Sequence, residues 1–102
     1  MQNHAKVVII GGGVVGCSIL YHLSKFGLKD CILLERNELT SGSSWHAAGN
    51  VHVISSDPNI SRMMAYTIGL YKEIEKESGN SVGFKPSGGF YLASNDVWAD
   101  YL

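Results

Sequence analysis

Hydrophobic positions fall in short bursts along this chain, and their spacing predicts its elements. Residues 6–10, KVVII, form a β-branched run that stops at three glycines, the pattern of a strand buried on both faces of a parallel sheet. In VVGCSILYHLSKF, 14–26, the side chains of Val15, Ile19, Leu23 and Phe26 recur every three or four residues. That period predicts an amphipathic helix, with Gly27 closing its C-terminus. CILLE, 31–35, reads as a second strand. Strand, helix and strand make a βαβ unit, and the handedness of such crossovers places the two strands parallel and adjacent.

Beyond residue 39 the period is lost. TSGSSWHAAG, 40–49, has no repeating spacing, and NVHVISS, 50–56, reads as irregular or extended. A second helix follows with clear punctuation: Asp57 as cap, Pro58 at the first helical position and Gly79 at the end. Its apolar face is Ile60, Met63, Met64, Leu70, Tyr71 and Ile74, a stripe that reads as packing surface rather than as a binding box. SVGFKPSGGFYLAS, 81–94, reads as two short strands around a Pro-Ser-Gly-Gly turn. Asn95 and Asp96 begin a third helix in which Val97 and Tyr101 share a face. The division expected is residues 1–57 as a nucleotide-binding βαβ unit with its following loop, and 58–102 as a helix and first strands leading into a further domain. The fold class is α/β, a Rossmann-like βαβ start.

Composition narrows the partners. The 102 residues carry 8 Lys and Arg against 9 Asp and Glu, a net charge of −1 that offers no electrostatic reason for nucleic acid or an anionic membrane. A small molecule fits better. Cys17 and Cys31 lie in apolar runs without CxxC or metal spacing and read as buried thiols of a reducing compartment, and no histidine pair has metal-ligand spacing. The N-terminal lead is too short for a signal or transit peptide and no apolar run reaches membrane length, so the expected location is cytoplasmic. His4 reads as a solvated terminal residue, His22 as packing on the first helix, and His52 is ambiguous.

Gly11, Gly13 and Gly16 spell G-x-G-x-x-G between the first strand and the first helix. Gly11 permits a tight turn, Gly13 lets backbone approach a pyrophosphate, and Gly16 allows close helix packing. The backbone amides near Val14 and Val15 face the phosphates at the positive end of the helix dipole. Glu35 ends the second strand about twenty residues on, where a carboxylate accepts hydrogen bonds from ribose hydroxyls. An acid there disfavours a ribose 2′-phosphate, an objection that neighbouring Arg36 blunts slightly. The ligand is FAD or NAD. Ser43 and Ser44 follow Gly42 in the manner of a helix N-cap, with hydroxyls able to reach a phosphate. Ala47, Ala48 and Gly49, followed by Asn50, allow close backbone approach. A second anion-holding element is natural for FAD and unnecessary for NAD, which favours the flavin.

The stretch VVIIGGGVVGCSILYHLSKFGLKDCILLERNELTSGSSWHAAG resembles the N-terminus of the dimethylglycine and sarcosine dehydrogenase family, flavoproteins of the D-amino-acid-oxidase superfamily. The likeness continues through YKEIEKESG, VGF and GGFYLASN, the last closer to the sarcosine dehydrogenase branch. The specific signature is S-[ST]-W-H-[AT]-A-G, matched by Ser43, Ser44, Trp45, His46, Ala47, Ala48 and Gly49. The resemblance implies oxidation of the C–N bond of an N-methyl amine such as sarcosine or dimethylglycine. It also implies FAD covalently bound through its 8α-methyl carbon to His46, and an electron-acceptor flavoprotein as partner. An imidazole is a competent nucleophile, and a tether pins the flavin ring and tunes its electronics. In the family the flavin domain is discontinuous, a substrate domain supplies most of the pocket, and a C-terminal region that binds tetrahydrofolate often follows. The chain therefore reads as the N-terminal fragment of a longer enzyme, with no catalytic side chain identifiable in it. Two alternatives are a non-catalytic flavin-binding or regulatory protein of the same fold, whose branch lacks the Trp-His pair, and a small NAD-binding module.

Overall fold

The computed structural model describes residues 4–102, which divide into two compact units, one ending at Asn50 and the other Val51–Leu102. In the first, β1 (Val7–Ile10) and β2 (Cys31–Leu34) form a parallel two-stranded sheet joined by α1 (Val14–Lys25). The register is Val7 with Cys31 through Ile10 with Leu34. Each strand matches its apolar run and is one residue shorter than the stretch read from the sequence, dropping the charged Lys6 and Glu35. Lys6 N–H and Val7 N–H both donate to Asp30 O, at 3.1 and 3.2 Å, and Gly11 N–H donates to Leu34 O at 2.8 Å. Glu35 lies past the last paired residue.

The expectation that the first strand is buried on both faces is not met. Val7 is half-buried and Ile9 buried, whereas the alternate Val8 and Ile10 are 51% and 87% exposed. One crossover helix covers one face of a parallel sheet. The predicted face of α1 is also displaced. Val15, Ile19 and Phe26 are exposed, while Gly16 is buried and Leu20 and Leu23 are half-buried. Gly16 sets that rotation. A Cβ built there would collide with Gly11 O and approach Ile9 Cγ2 to 3.4 Å, so this position is pressed against the strand and the residues one turn and two turns on follow it inward.

The end of α1 follows the sequence reading closely. Gly27 adopts φ +85°, its N–H donates to Ser24 O, and Leu28 N–H donates to Leu23 O, both at 2.9 Å. These are the paired bonds of a Schellman motif, which needs a left-handed residue after the cap. Cys17 and Cys31 are free and half-buried rather than fully buried. Their Sγ atoms lie 3.5 Å from Gly12 O and 3.4 Å from Leu28 O respectively.

In the second unit α2 spans Pro58–Ser78. Asp57 caps it by accepting from Asn59 N–H at 2.7 Å and Ile60 N–H at 3.4 Å, and Gly79 ends it at φ +70°. Its shielded line is Met64, Ile68, Tyr71 and Ile74, all half-buried, with Ile60 and Met63 exposed. Tyr71 meets Phe84 at a ring-centroid distance of 5.9 Å. Residues 81–94 form no strand, against the sequence expectation. Gly83 and Gly88 adopt φ +75° and +73°, and Ser87 N–H turns back to Lys85 O at 2.8 Å, so no ladder develops. A lone two-stranded hairpin is marginal without a third strand or a helix to lean on. The segment is held at its start by Glu75, whose Oε1 accepts from Ser81 Oγ and Val82 N–H, each at 2.9 Å. A short helix α3, Asp96–Tyr101, closes the chain, with the Asn95 side chain accepting from Trp98 N–H at 3.0 Å. Among the described residues no helix is long and apolar enough to cross a membrane, and no group of three His, Cys, Asp or Glu side chains is placed to hold a metal.

Candidate functional site, a glycine-rich turn and the loop docked on it

The site is built where β1 hands over to α1. Gly11 leaves the strand at φ +106°, a conformation that L side chains rarely adopt, and the following turn brings three glycines under the start of the helix. Gly13 is the N-cap residue of α1 and has no side chain with which to cap it. The first helical amides therefore need acceptors from elsewhere. Ser44 supplies one: Val14 N–H donates to its Oγ at 2.8 Å across 30 residues of sequence. The amides of Gly13, Val15 and Gly16 meet no acceptor among the described residues. Three donors at the positive end of a helix form a place for an anion.

Ser43 and Ser44 read from the sequence in the manner of a helix N-cap, with hydroxyls able to reach a phosphate. Residues 39–46 are turns instead, and the cap that Ser44 provides belongs to α1. Ser43 contributes its carbonyl, which accepts from His46 N–H at 3.2 Å.

Glu35 turns its carboxylate back onto the glycine turn. Oε2 accepts from Gly12 N–H at 2.7 Å and Oε1 from Asn37 N–H at 2.9 Å. The bond from Gly12, then that from Asn37, holds the carboxyl below the ordinary glutamate range; partial desolvation opposes this, and the Arg36 amide and guanidinium add to it. Each carboxylate oxygen keeps a lone pair for a further donor. Arg36 itself is exposed.

Three residues outside the sequence-based set belong to the site. Gly12, an x position of the motif, is buried, and a Cβ there would lie 2.5 Å from Leu39 Cδ2 and 3.0 Å from Glu35 Cβ. Its carbonyl accepts from Thr40 N–H at 2.8 Å. Thr40 has φ +63°, the one positive value at a non-glycine among the described residues. The run of three glycines in GGG was a signal for Gly12, since the motif itself needs only the outer two. Nothing in the sequence marks Leu39 or Thr40.

The loop then presents its aromatic pair. Trp45 N–H donates to Thr40 O at 3.1 Å, and the Trp45 and His46 rings meet edge to face at 5.9 Å. His46 Nδ1 lies 3.1 Å from Gly42 O. A carbonyl oxygen only accepts, so Nδ1 carries the proton, and in the neutral ring Nε2 holds the free lone pair. Trp45, His46, Ala47, Ala48, Gly49 and Asn50 are all exposed, with Gly49 at φ +72°. The structure thus brings Gly11, Gly13, Val14, Gly16, Glu35 and Ser44 together by direct contact. Val15 follows them in the first turn of α1, and among the described residues no hydrogen bond joins Ala47 to Asn50 to the glycine turn.

Comparison with known proteins decides what the arrangement belongs to. The family model described as FAD dependent oxidoreductase (DAO) matches residues 6–102. The chain belongs to that family. Human dimethylglycine dehydrogenase, a mitochondrial protein by name, is 46% identical over 99 residues, covering 97% of this chain and 11% of that protein. Human mitochondrial sarcosine dehydrogenase is 42% identical over 96 residues, 93% of this chain and 10% of that protein. The mouse mitochondrial regulatory subunit of pyruvate dehydrogenase phosphatase is 39% identical over 93 residues, 91% of this chain and 11% of its own length. The chain spans about a tenth of the length of these curated relatives. The residues of the glycine turn suit the adenosine diphosphate half of FAD. Backbone is bare at Gly13, three amides await an acceptor, and a carboxylate is fixed beside the turn.

Proposed function

We propose that this chain is the cofactor-binding start of a longer flavoprotein that oxidises the C–N bond of a small N-methyl amine such as sarcosine or dimethylglycine. The α/β unit opens a discontinuous flavin domain completed by later chain, and that chain supplies the substrate pocket. In this reading the amides of Gly13, Val15 and Gly16 hold the pyrophosphate. The remaining lone pairs of Glu35 accept the ribose hydroxyls. Ala47, Ala48, Gly49 and Asn50 leave room for the cofactor to run along the loop. FAD, when bound, would take the electron pair of the amine C–H bond as a hydride equivalent, and an acceptor flavoprotein would take those two electrons on.

His46 is the tether. The observation that carries this is the hydrogen bond between Nδ1 and Gly42 O, which leaves Nε2 as the nucleophilic nitrogen on an exposed loop joined to the glycine turn. Two free, half-buried thiols suit a reducing compartment such as the cytoplasm. A tetrahydrofolate-binding region farther along the protein belongs to the same proposal.

The flavin of the full-length protein should stay with the pellet after acid precipitation, and His46→Ala should release it. A colourless wild-type pellet with FAD in the supernatant ends the covalent assignment. The regulatory reading draws on the 39% identity to the phosphatase regulatory subunit. Trp45 and His46 favour the enzyme. Reduction of an artificial acceptor by sarcosine or dimethylglycine separates the two, since a regulatory protein gives none. Absence of a flavin spectrum alongside bound nicotinamide would select the NAD module.

A further inference from the structure

The glycine turn and the loop that carries His46 are held together by contacts that the proposed chemistry does not use. Thr40 N–H donates to Gly12 O at 2.8 Å, and Ser44 Oγ accepts from Val14 N–H at 2.8 Å. Leu39 lies where a Gly12 side chain would otherwise be, and a Cβ at Gly13 would come within 3.2 Å of Ser44 Oγ. These bonds bracket the loop, one at its entry and one two residues before His46. Thr40 O also accepts from Trp45 N–H at 3.1 Å, which turns the loop back on itself between the two bonds that join it to the glycine turn. Thr40 sits at φ +63°, a conformation a β-branched residue keeps only when its surroundings hold it there.

We propose that Thr40 and Ser44 form a latch that locks the His46 loop onto the glycine turn before any cofactor arrives, with Ser44 as a positioning residue for flavin attachment. The inference rests on the reading of His46 as the tether. Ser44 takes the amide of Val14, so the helix start is divided: one donor fixes the loop, and the donors of Gly13, Val15 and Gly16 are left for the pyrophosphate. Occupation of the turn and placement of the imidazole are then set by one backbone unit. A loop tied in this way reaches the flavin with less conformational freedom to lose, which raises the rate of bond formation rather than the strength of FAD capture. In that step one hydrogen would leave the 8α-methyl carbon and one the imidazole, both kept with the electron pair on the flavin ring until an electron acceptor reoxidises it.

The test uses the full-length apoprotein with FAD as the probe. Ser44→Ala should slow covalent incorporation at saturating FAD by roughly 2- to 30-fold, the equivalent of losing one helix cap. Reversible FAD affinity, measured in a His46→Ala background, should stay within about twofold, because reorganisation of the loop and not phosphate binding is altered. Ser44→Thr keeps the hydroxyl and should restore the rate. Cleavage of the apoprotein after Trp45 by an aromatic-specific protease should rise severalfold in Ser44→Ala and return to the wild-type rate in Ser44→Thr. If the alanine variant does not accumulate, Ser44→Cys, a weaker acceptor of similar size, should shift both readouts the same way. A fall in FAD affinity that accounts for the whole loss would make Ser44 a phosphate ligand and overturn the latch. Unchanged cleavage after Trp45 would overturn it as well, whether or not the flavin is covalent. A wild-type flavin lost to acid, with cleavage still sensitive to Ser44, would end the tether and leave the latch standing.

Discussion

The two units of this chain use hydrogen bonds over very different distances. In the first, Glu35 reaches Gly12 across 23 residues and Ser44 reaches Val14 across 30. In the second, the longest described bond, from Val82 to Glu75, spans 7. The first unit therefore fixes polar groups where a ligand would meet them, at positions no local segment can specify. The second is a helix with good ends and a segment pinned to its last turn. The difference teaches that the cofactor-facing geometry depends on tertiary closure, while α2 is specified by its own sequence.

The glycines offer the largest contrast. Gly16→Ala would drive a methyl group into the Gly11 carbonyl, a backbone atom that cannot swing aside. We expect a loss of about 3 kcal/mol or more, at the upper end for overpacking, with FAD retention falling in parallel. Urea midpoints of the full-length protein check it. A variant as stable as wild type would show that α1 can slide off β1 and that closure is looser than described.

Glu35→Gln gives the next effect and carries a pH signature. The folded-state pKa of Glu35 is depressed, chiefly by the Gly12 N–H, so its contribution is present above the unfolded-state value and is lost as pH falls through the folded one. At neutral pH the variant should capture FAD more weakly by roughly an order of magnitude. The gap between wild type and variant should shrink only at pH below the ordinary glutamate range, as the carboxylate is protonated. A gap that does not change with pH would mean that the charge of Glu35 is idle.

The smallest effect lies in α2. Nothing lies within 4 Å of a Cβ at Gly69, which is in the helix interior at an exposed position. Gly69→Ala should therefore stabilise by roughly 0.5–1 kcal/mol, through the backbone entropy that glycine loses. The melting temperature of the full-length protein reads this out. Destabilisation by alanine would reveal a close neighbour that α2 acquires in the longer protein, and would weaken the contrast between the units.

Much of this was legible in the residues themselves. The strand, helix, strand order, the glycine motif and the caps at Asp57, Gly27 and Gly79 all depend on neighbours within a few positions, where turn sterics and capping chemistry act. Glu35 was legible because its distance from the glycines is dictated by the length of a βαβ crossover. Other features were decided only by the fold. The inward face of α1 follows Gly16 rather than the line through Val15 and Ile19, because the helix can approach the strand only at the residue without a side chain. Ser44 caps a helix 30 residues earlier, because Gly13 has no side chain to offer and the loop passes within reach. Thr40 and Leu39 carry no local mark, since their roles exist only against Gly12. The hairpin expected at 81–94 does not form within this chain, because alternation and turn residues permit a strand but a partner must supply the ladder.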